Sequence, residues 1–314
     1  MGRAVIIAAK KRNPPRPKMP QFDYAAPQTL KEAVDLLVQA RGRALPLAGG
    51  TDLIPQIKKA AKQPSLLVDI KRIPQMSRLE FVPGKGLNLG ASVPCGSIVR
   101  HPQVREIYPA LGQACSQIGS RQVRNRASVG GNICNGAPSG DSLPPLLVYG
   151  ATAEVTGASG TRQTTLQKLV VGPGRTTLGP SELLVKIVVP VPPAHSTSEY
   201  CRLSLREEMD IALVGVAVLL VVEPKTGRCL EARIALGAVA PTPIRVPQAE
   251  AVLWDQKPTE KLLDTAADLA AAAATPISDI RASAEYRREM VNVLTRRGLK
   301  ACLSRLTRQG GGRG

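Results

Sequence analysis

Two short stretches carry most of the chemistry legible in this chain. Leu47-Ala48-Gly49-Gly50-Thr51-Asp52 and Ser128-Val129-Gly130-Gly131-Asn132 each set adjacent glycines beside hydroxyl and amide side chains. Glycine tolerates positive φ and lets main-chain N–H groups approach a ligand with no Cβ between. Read as strand-flanked loops that face each other, the two would present several backbone donors to one diphosphate. Thr51, Ser128 and Asn132 would add side-chain donors. Each Gly-Gly pair taken alone is more often a plain turn, and the ligand reading rests on their occurring together. Neither is a Walker motif or G-x-G-x-x-G, and GPGRTT (172–177) lacks the final glycine, so a Rossmann site is disfavoured. Asp141 follows the second loop, just ahead of the apolar run LPPLLV. In a Gly/Ser-rich segment such a carboxylate is either a ligand or a local turn former.

Other reactive side chains are sparse. His101 and His195 are the only histidines. The first falls in an expected loop and the second in a Pro-rich linker, and both are read as surface residues. The six cysteines (Cys95, Cys115, Cys134, Cys201, Cys229, Cys302) include no C-x-x-C pair. Iron–sulfur and zinc sites generally need closely spaced thiolates, so each cysteine is read as a small core residue in a reducing cytoplasm.

The elements that must position the glycine loops follow from periodicity. Thr29-x-x-Glu32 is a capping box ahead of Leu30, Val34 and Leu37 at helical spacing. Residues 44–47 and 65–70 read as strands. LEFVPGKGLNLGASV is a hairpin turning at 83–86, and YPALGQACSQIG is a helix. Prolines and small polar residues over 188–199 mark a domain boundary. Beyond it, Ile211 to Val222 reads as a buried strand of a long hairpin turning at 224–227. Helices follow near 259–274 and 282–306, the latter with arginines on its exposed face. Strand hairpin then helices suggests a compact α+β domain.

With 43% hydrophobic and 21% charged residues, the 314-residue chain can bury a sizeable core. Aromatics at 3% leave few rings for stacking single-stranded nucleic acid. No apolar run is long enough for a membrane span. The net charge of +18 suggests nucleic acid at first sight, but its location argues otherwise. Residues 1–18 carry basic side chains and no acidic ones, and residues 281–314 are strongly basic, so the ends supply most of the charge. Solvated tails or a docking surface for an acidic partner fit this better than a nucleic-acid groove. The opening twenty residues lack the long apolar core and cleavage site of a secretory signal. They are read as a flexible extension, and the GGGRG end as a flexible tail.

The ordered series MPQFDYAAPQTLKEAVDLL, LAGGTDL, IGSRQVRNRASVGGNICNGAPSGD, GPGRTTLGPSELLVKIVVP and YRREMVNVLTRRGL resembles the FAD-binding medium subunit of molybdenum hydroxylases, over residues 19–308. That family includes the flavoprotein subunits of xanthine dehydrogenase, carbon monoxide dehydrogenase and hydroxybenzoyl-CoA reductase. The resemblance implies an α+β fold, with a two-part PCMH-type FAD domain of the vanillyl-alcohol-oxidase superfamily at 19–193. A smaller C-terminal α+β domain would occupy 199–308, with extension and tail at 1–18 and 309–314. It further implies that Pro46, Leu47, Ala48, Gly49, Gly50, Thr51, Asp52 and Leu53 cradle the FAD pyrophosphate. Gly130, Gly131, Asn132 and Asn135 would add the second loop, beside the Ser128 donor read above, and Asp141 would bond FAD sugar or ribityl hydroxyls. Ile118, Leu184 and Arg202 stand where the family places flavin-contacting residues.

The implied role is electron transfer. A large subunit would hold the molybdenum cofactor, a small subunit two [2Fe–2S] clusters, and FAD would pass electrons to an acceptor such as NAD, in a dimer of heterotrimers. The flavin is expected to be non-covalent, because the first loop has no histidine. The extra cysteine-rich insertion of hydroxybenzoyl-CoA reductases is missing between Asn132 and Asp141, so no additional cluster is expected. Pro173 stands where nicotinamide-using xanthine dehydrogenases can have tyrosine, which leaves the acceptor open. Two rivals stand beside this: a free-standing flavin oxidase, and a basic RNA-associated protein. The first would need a larger aromatic-rich second domain; the second would make the paired glycine loops a coincidence.

Overall fold

A computed structural model describes residues 20–311. The basic extension at 1–18 lies outside them.

The first unit opens with three short parallel strands, β1 (Asp23–Ala25), β2 (Ala44–Leu47) and β3 (Leu66–Asp69), in the order β1-β3-β2. The crossover from β1 to β2 is the helix Leu30–Gln39. Its capping box forms as the sequence predicts: Thr29 Oγ1 accepts from the Glu32 N–H, and the Glu32 carboxylate accepts from the Thr29 N–H. Ala33, Val34 and Leu37 form the buried stripe. Next come β4 (Leu79–Val82) and β5 (Gly86–Gly90), the expected hairpin. They join β6 (Thr152–Gly157), β7 (Gly160–Thr165) and, after the small hairpin β8 (Val170–Gly172)–β9 (Arg175–Thr176), β10 (Leu183–Val189). The five-stranded sheet runs β4-β5-β10-β6-β7.

The second unit is a four-stranded antiparallel sheet of β11 (Ser196–Leu203), β12 (Val214–Val222), β13 (Cys229–Gly237) and β14 (Ile244–Arg245) in sequential order. Every residue of β12 is buried. Its apolar run does not alternate with polar residues because both faces are covered. Ala217, Leu219 and Val221 belong to the core of the first unit, whereas Val214, Val216, Val218 and Leu220 belong to that of the second. Helices Glu260–Ala273 and Ala284–Gly311 cover the second face.

Several expectations need correction. The arginines of the last helix are not all exposed: Arg287 is buried, its guanidinium donating to Leu213 O (2.9 Å) and to Asp279 (2.8 Å). That helix runs on to Gly311, into the segment expected to be tail. Cys95, Cys115, Cys229 and Cys302 are buried, but Cys201 is only half-buried and Cys134 is exposed. Cys134 follows Ile133, which takes the core-facing position on their helix. His195 is exposed as expected, while His101 is half-buried and its Nδ1 meets no partner among the described residues.

Candidate functional site

The first glycine loop leaves the carboxyl end of β2, where parallel sheets characteristically bind ligands. Pro46 and Leu47 pair with Val68 and Asp69 of β3. Gly49 lies hard against the neighbouring chain: a Cβ there would overlap the Arg126 carbonyl. Gly50 adopts φ +74°, a region costly for other L-residues. A short helix, Leu53–Lys58, then begins, and Asp52 at its N-cap makes no side-chain bond to it. The amides of Gly49, Gly50, Thr51, Asp52 and Leu53 reach no acceptor among the described residues. Unpaired N–H groups at a strand-to-helix turn are the donors an anion uses.

The second Gly-Gly pair differs from its sequence reading. It is not a strand-flanked loop but the first turn of the helix Val129–Asn135, preceded only by an isolated bridge between Ser128 and Pro94. Ser128 is the N-cap, its Oγ accepting from the Gly131 N–H at 3.0 Å. The expected donor is thus also an internal acceptor. Asn132 Oδ1 accepts from Ser142 Oγ at 2.6 Å, which leaves its NH₂ as the group free to donate outward.

The two Gly-Gly segments do meet. Gly49 packs on Arg126 and Ala127, immediately before Ser128, and Gln56 Nε2 donates to Asn135 Oδ1 at 3.1 Å. The β8–β9 hairpin closes one end, through Gly174 N–H to Gly136 O at 2.9 Å. Gly130 has an internal reason to be glycine, because a Cβ would overlap the Ala91 carbonyl. Gly131 does not: it has ordinary φ, and a Cβ there would approach only Ser128 Oγ, at 3.1 Å. Space at a position where the protein's own packing asks for no glycine is what close approach of a ligand would explain.

Asp141 is 8% exposed and faces the second unit. Its Oδ1 accepts from the Tyr200 hydroxyl (2.7 Å) and lies 3.1 Å from Arg202 Nε, both from β11. A Cβ at Gly215 would stand 2.6 Å from the Tyr200 hydroxyl oxygen, so glycine there makes room for it. Arg202 also donates to Asp210 O at 2.5 Å, yet its buried Nε has no well-directed acceptor among the described residues. Burial pushes the Asp141 carboxyl up to about 6, against the opposing pull of Arg202 and Tyr200. Burial likewise drives the Tyr200 phenol far up.

Ile118 packs partly buried at the margin of the first core. The 204–213 loop is tied beside it, Met209 N–H donating to Gly119 O at 3.4 Å, so Ile118 and Arg202 share a neighbourhood. Leu184 sits within the core on β10, one residue before Val185, whose carbonyl accepts from the Ala91 N–H. Sequence reasoning did not single out Tyr200, Tyr24, Asp69 or Lys71. The only local signal for the last pair was a carboxylate and an ammonium at the end of a buried strand.

Unpaired backbone donors after β2, a second glycine pair packed against them and a buried polar cluster between two units are an arrangement chemically suited to an anionic ligand. The model of the FAD-binding domain in molybdopterin dehydrogenase matches residues 20–192, and that of the carbon monoxide dehydrogenase flavoprotein C-terminal domain matches residues 199–302. A xanthine dehydrogenase FAD-binding subunit of Escherichia coli is 31% identical, over 88% of this chain and 95% of its own. The carbon monoxide dehydrogenase medium chain of Hydrogenophaga pseudoflava is 33% identical, over 91% and 98%. The solved structure of that carbon monoxide dehydrogenase superposes with a TM-score of 0.86 at 34% identity, covering 91% of this chain and 98% of the other. Quinoline 2-oxidoreductase of Pseudomonas putida gives 0.86 at 29% identity, covering 92% and 99%. The chain belongs to the FAD-binding subunit family of the molybdopterin dehydrogenases, a family of oxidoreductases, and its cofactor is FAD. Among the described residues no helix is long and apolar enough to cross a membrane, and no group of three or more His, Cys, Asp or Glu is placed to hold a metal ion.

Proposed function

We propose that this chain is the electron-transfer subunit of a cytoplasmic molybdenum hydroxylase complex. It takes electrons from [2Fe–2S] clusters of a small subunit, reduced in turn by a large molybdenum-cofactor subunit, and delivers them to an acceptor such as NAD. The relatives' names as medium chains of such dehydrogenases support the partners, and a dimer of heterotrimers is the assembly proposed with them. When bound, FAD supplies the capacity to accept electrons singly and release them in pairs. The chain's own residues bind and orient it without a covalent link.

The observation that carries the binding mode is the run of amides from Gly49 to Leu53 that meet no acceptor among the described residues, with Gly131 in the segment that packs against them. The first loop would hold the diphosphate, with Gly131 and the Asn132 amide completing the cradle. Asp141 would use Oδ2, which has no partner among the described residues, for a hydroxyl of the cofactor. Leu184 and Ile118 would bound the flavin, and Arg202 would bring positive charge to it.

Two measurements test this reading. Acid precipitation of the purified protein should release all yellow chromophore into the supernatant as FAD; chromophore retained on the pellet refutes the non-covalent link. Affinity purification from the native cell should bring molybdenum and iron along with FAD. Turnover of an organic substrate by the isolated chain, without either metal, would instead establish a free-standing oxidase.

A further inference from the structure

The first loop is anchored from behind. The Tyr24 hydroxyl on β1 donates to Asp69 Oδ2 at 2.6 Å, at the end of β3. Asp69 Oδ1 lies 2.7 Å from Lys71 Nζ and also accepts from the Lys71 N–H at 2.9 Å. Lys71 Nζ in turn donates to the Ala48 carbonyl at 2.9 Å. The series therefore ends on the peptide that joins Ala48 to Gly49.

That peptide transmits the effect. No peptide bond among the described residues is cis, and in a planar trans peptide the C=O and N–H point in opposite directions. Fixing the Ala48 carbonyl on the Lys71 ammonium therefore aims the Gly49 N–H to the opposite side, where it meets no acceptor among the described residues. Asp69 is buried, and Lys71 is 28% exposed on its side chain. The ammonium is thus held by partners rather than left to swing in solvent. Tyr24, although 57% exposed, has its hydroxyl committed to Asp69.

We propose that Tyr24, Asp69 and Lys71 are positioning residues that preset the first glycine loop for a diphosphate, with Lys71 orienting the Ala48–Gly49 peptide. This rests on the assignment of that loop to the FAD diphosphate. Preorganised donors bind more tightly because the ordering cost is met before the ligand arrives. Lys71 is paired with the Asp69 carboxylate, so it acts by orienting the peptide rather than by adding net positive charge.

The test uses the full chain stripped of flavin, with FAD and ADP as probes. Wild type should bind both, ADP being the part that carries the diphosphate without the flavin. Lys71→Met should weaken ADP and FAD by a common factor of about ten, roughly what one oriented donor contributes. Lys71→Arg should restore most of it. Tyr24→Phe alters no charge and should weaken both about threefold, an effect that persists at high salt where simple attraction is screened. Hydrogen exchange in the peptide covering 47–53 should quicken in Lys71→Met apoprotein by more than in peptides of the second unit, beyond what the fall in thermal midpoint from the lost Asp69 ion pair accounts for, and Lys71→Arg should reverse it. Wild-type affinity and unchanged exchange in Lys71→Met would overturn the positioning role while leaving the loop assignment intact. Failure of wild type to bind ADP, with FAD bound normally, would overturn the loop assignment and this proposal with it.

Discussion

Each glycine pair in this molecule stands beside a cluster of one tyrosine, one aspartate and one cation, yet the two clusters are built oppositely. Tyr24, Asp69 and Lys71 lie at the end of the parallel strands, within the first unit, with Asp69 buried beneath an exposed Tyr24. Tyr200, Asp141 and Arg202 lie between the units, with the Arg202 side chain only 2% exposed. Burial alone would raise both carboxyls. At Asp69 the hydrogen bonds from Lys71 and Tyr24 outweigh it and hold the carboxyl below its usual value. At Asp141 burial wins, and the carboxyl rises to about 6. The two carboxylates are equally buried, so hydrogen bonding decides the difference: Asp69 takes the Lys71 ammonium, the Lys71 N–H and the Tyr24 hydroxyl, whereas Asp141 has the Tyr200 hydroxyl and a poorly directed Arg202 Nε. The glycines differ in kind as well. Gly49 and Gly130 are dictated by internal packing, Gly50 by its φ, and Gly131 by none of these.

The sharpest way to break that division is Gly49→Ala. Its Cβ meets a backbone carbonyl that cannot rotate away, so the apoprotein should lose about 3 kcal/mol or more in urea unfolding. A Gly49→Ala protein of normal stability would remove the packing reason and place Gly49 beside Gly131.

Next in size is the pH dependence of the apoprotein. Asp141 has a folded value near 6 against 3.8 as an unperturbed carboxyl, so the folded state holds more protons between those values. Stability must then fall as pH rises from about 4 to about 6, by at most about 3 kcal/mol, and level off above. Asp69 has the opposite sign: its contribution is present above its unfolded value and is lost as pH falls toward the lower folded one. Asp141→Asn should flatten the 4-to-6 segment of a pH series of urea midpoints and leave the acid limb. A slope unchanged in that variant would mean Asp141 is ionised throughout, as Asp69 is.

Gly131→Val probes the ligand face. The apoprotein should lose no more than about 1–2 kcal/mol, since the position is helical with ordinary φ and the new Cβ crowds only the Ser128 cap oxygen, at 3.1 Å. FAD affinity should nonetheless fall at least about tenfold by flavin titration. Full FAD occupancy in the folded variant would show that this turn does not approach the cofactor.

Local signals in the sequence carried a good part of this picture. The Thr29–Glu32 capping box, the hairpin at 83–86 and the terminal helices follow from patterns within a few residues. The Gly-Gly segments were identifiable, and so was their nearness through the family resemblance. Their conformations were not: the helical second pair depends on Ser128 capping Gly131, and Ser-Val-Gly-Gly-Asn has the composition of a loop. The burial of Arg287 was hidden because its partners, Asp279 and Leu213 O, come from other segments. Neither tyrosine–aspartate cluster was legible, since Tyr24 meets Asp69 and Asp141 meets Tyr200 across long separations that no periodicity encodes.

The smallest expected effect tests how tightly the second pair is tied to its cap. Ser128→Ala removes the oxygen that accepts the Gly131 N–H and should cost about 1 kcal/mol. Gly131→Ala replaces a poor helix former but brings a methyl 3.1 Å from that same oxygen, so its two consequences oppose each other. In the double variant the crowding against Oγ is gone while the helix gain remains. The pair should therefore be non-additive by about 0.5 kcal/mol, the double variant being more stable than the sum of the singles predicts. A strictly additive cycle would mean that the helix start yields to the methyl, and that Gly131 is even less constrained by the protein than its geometry indicates. Its glycine would then have to be explained by the cofactor alone.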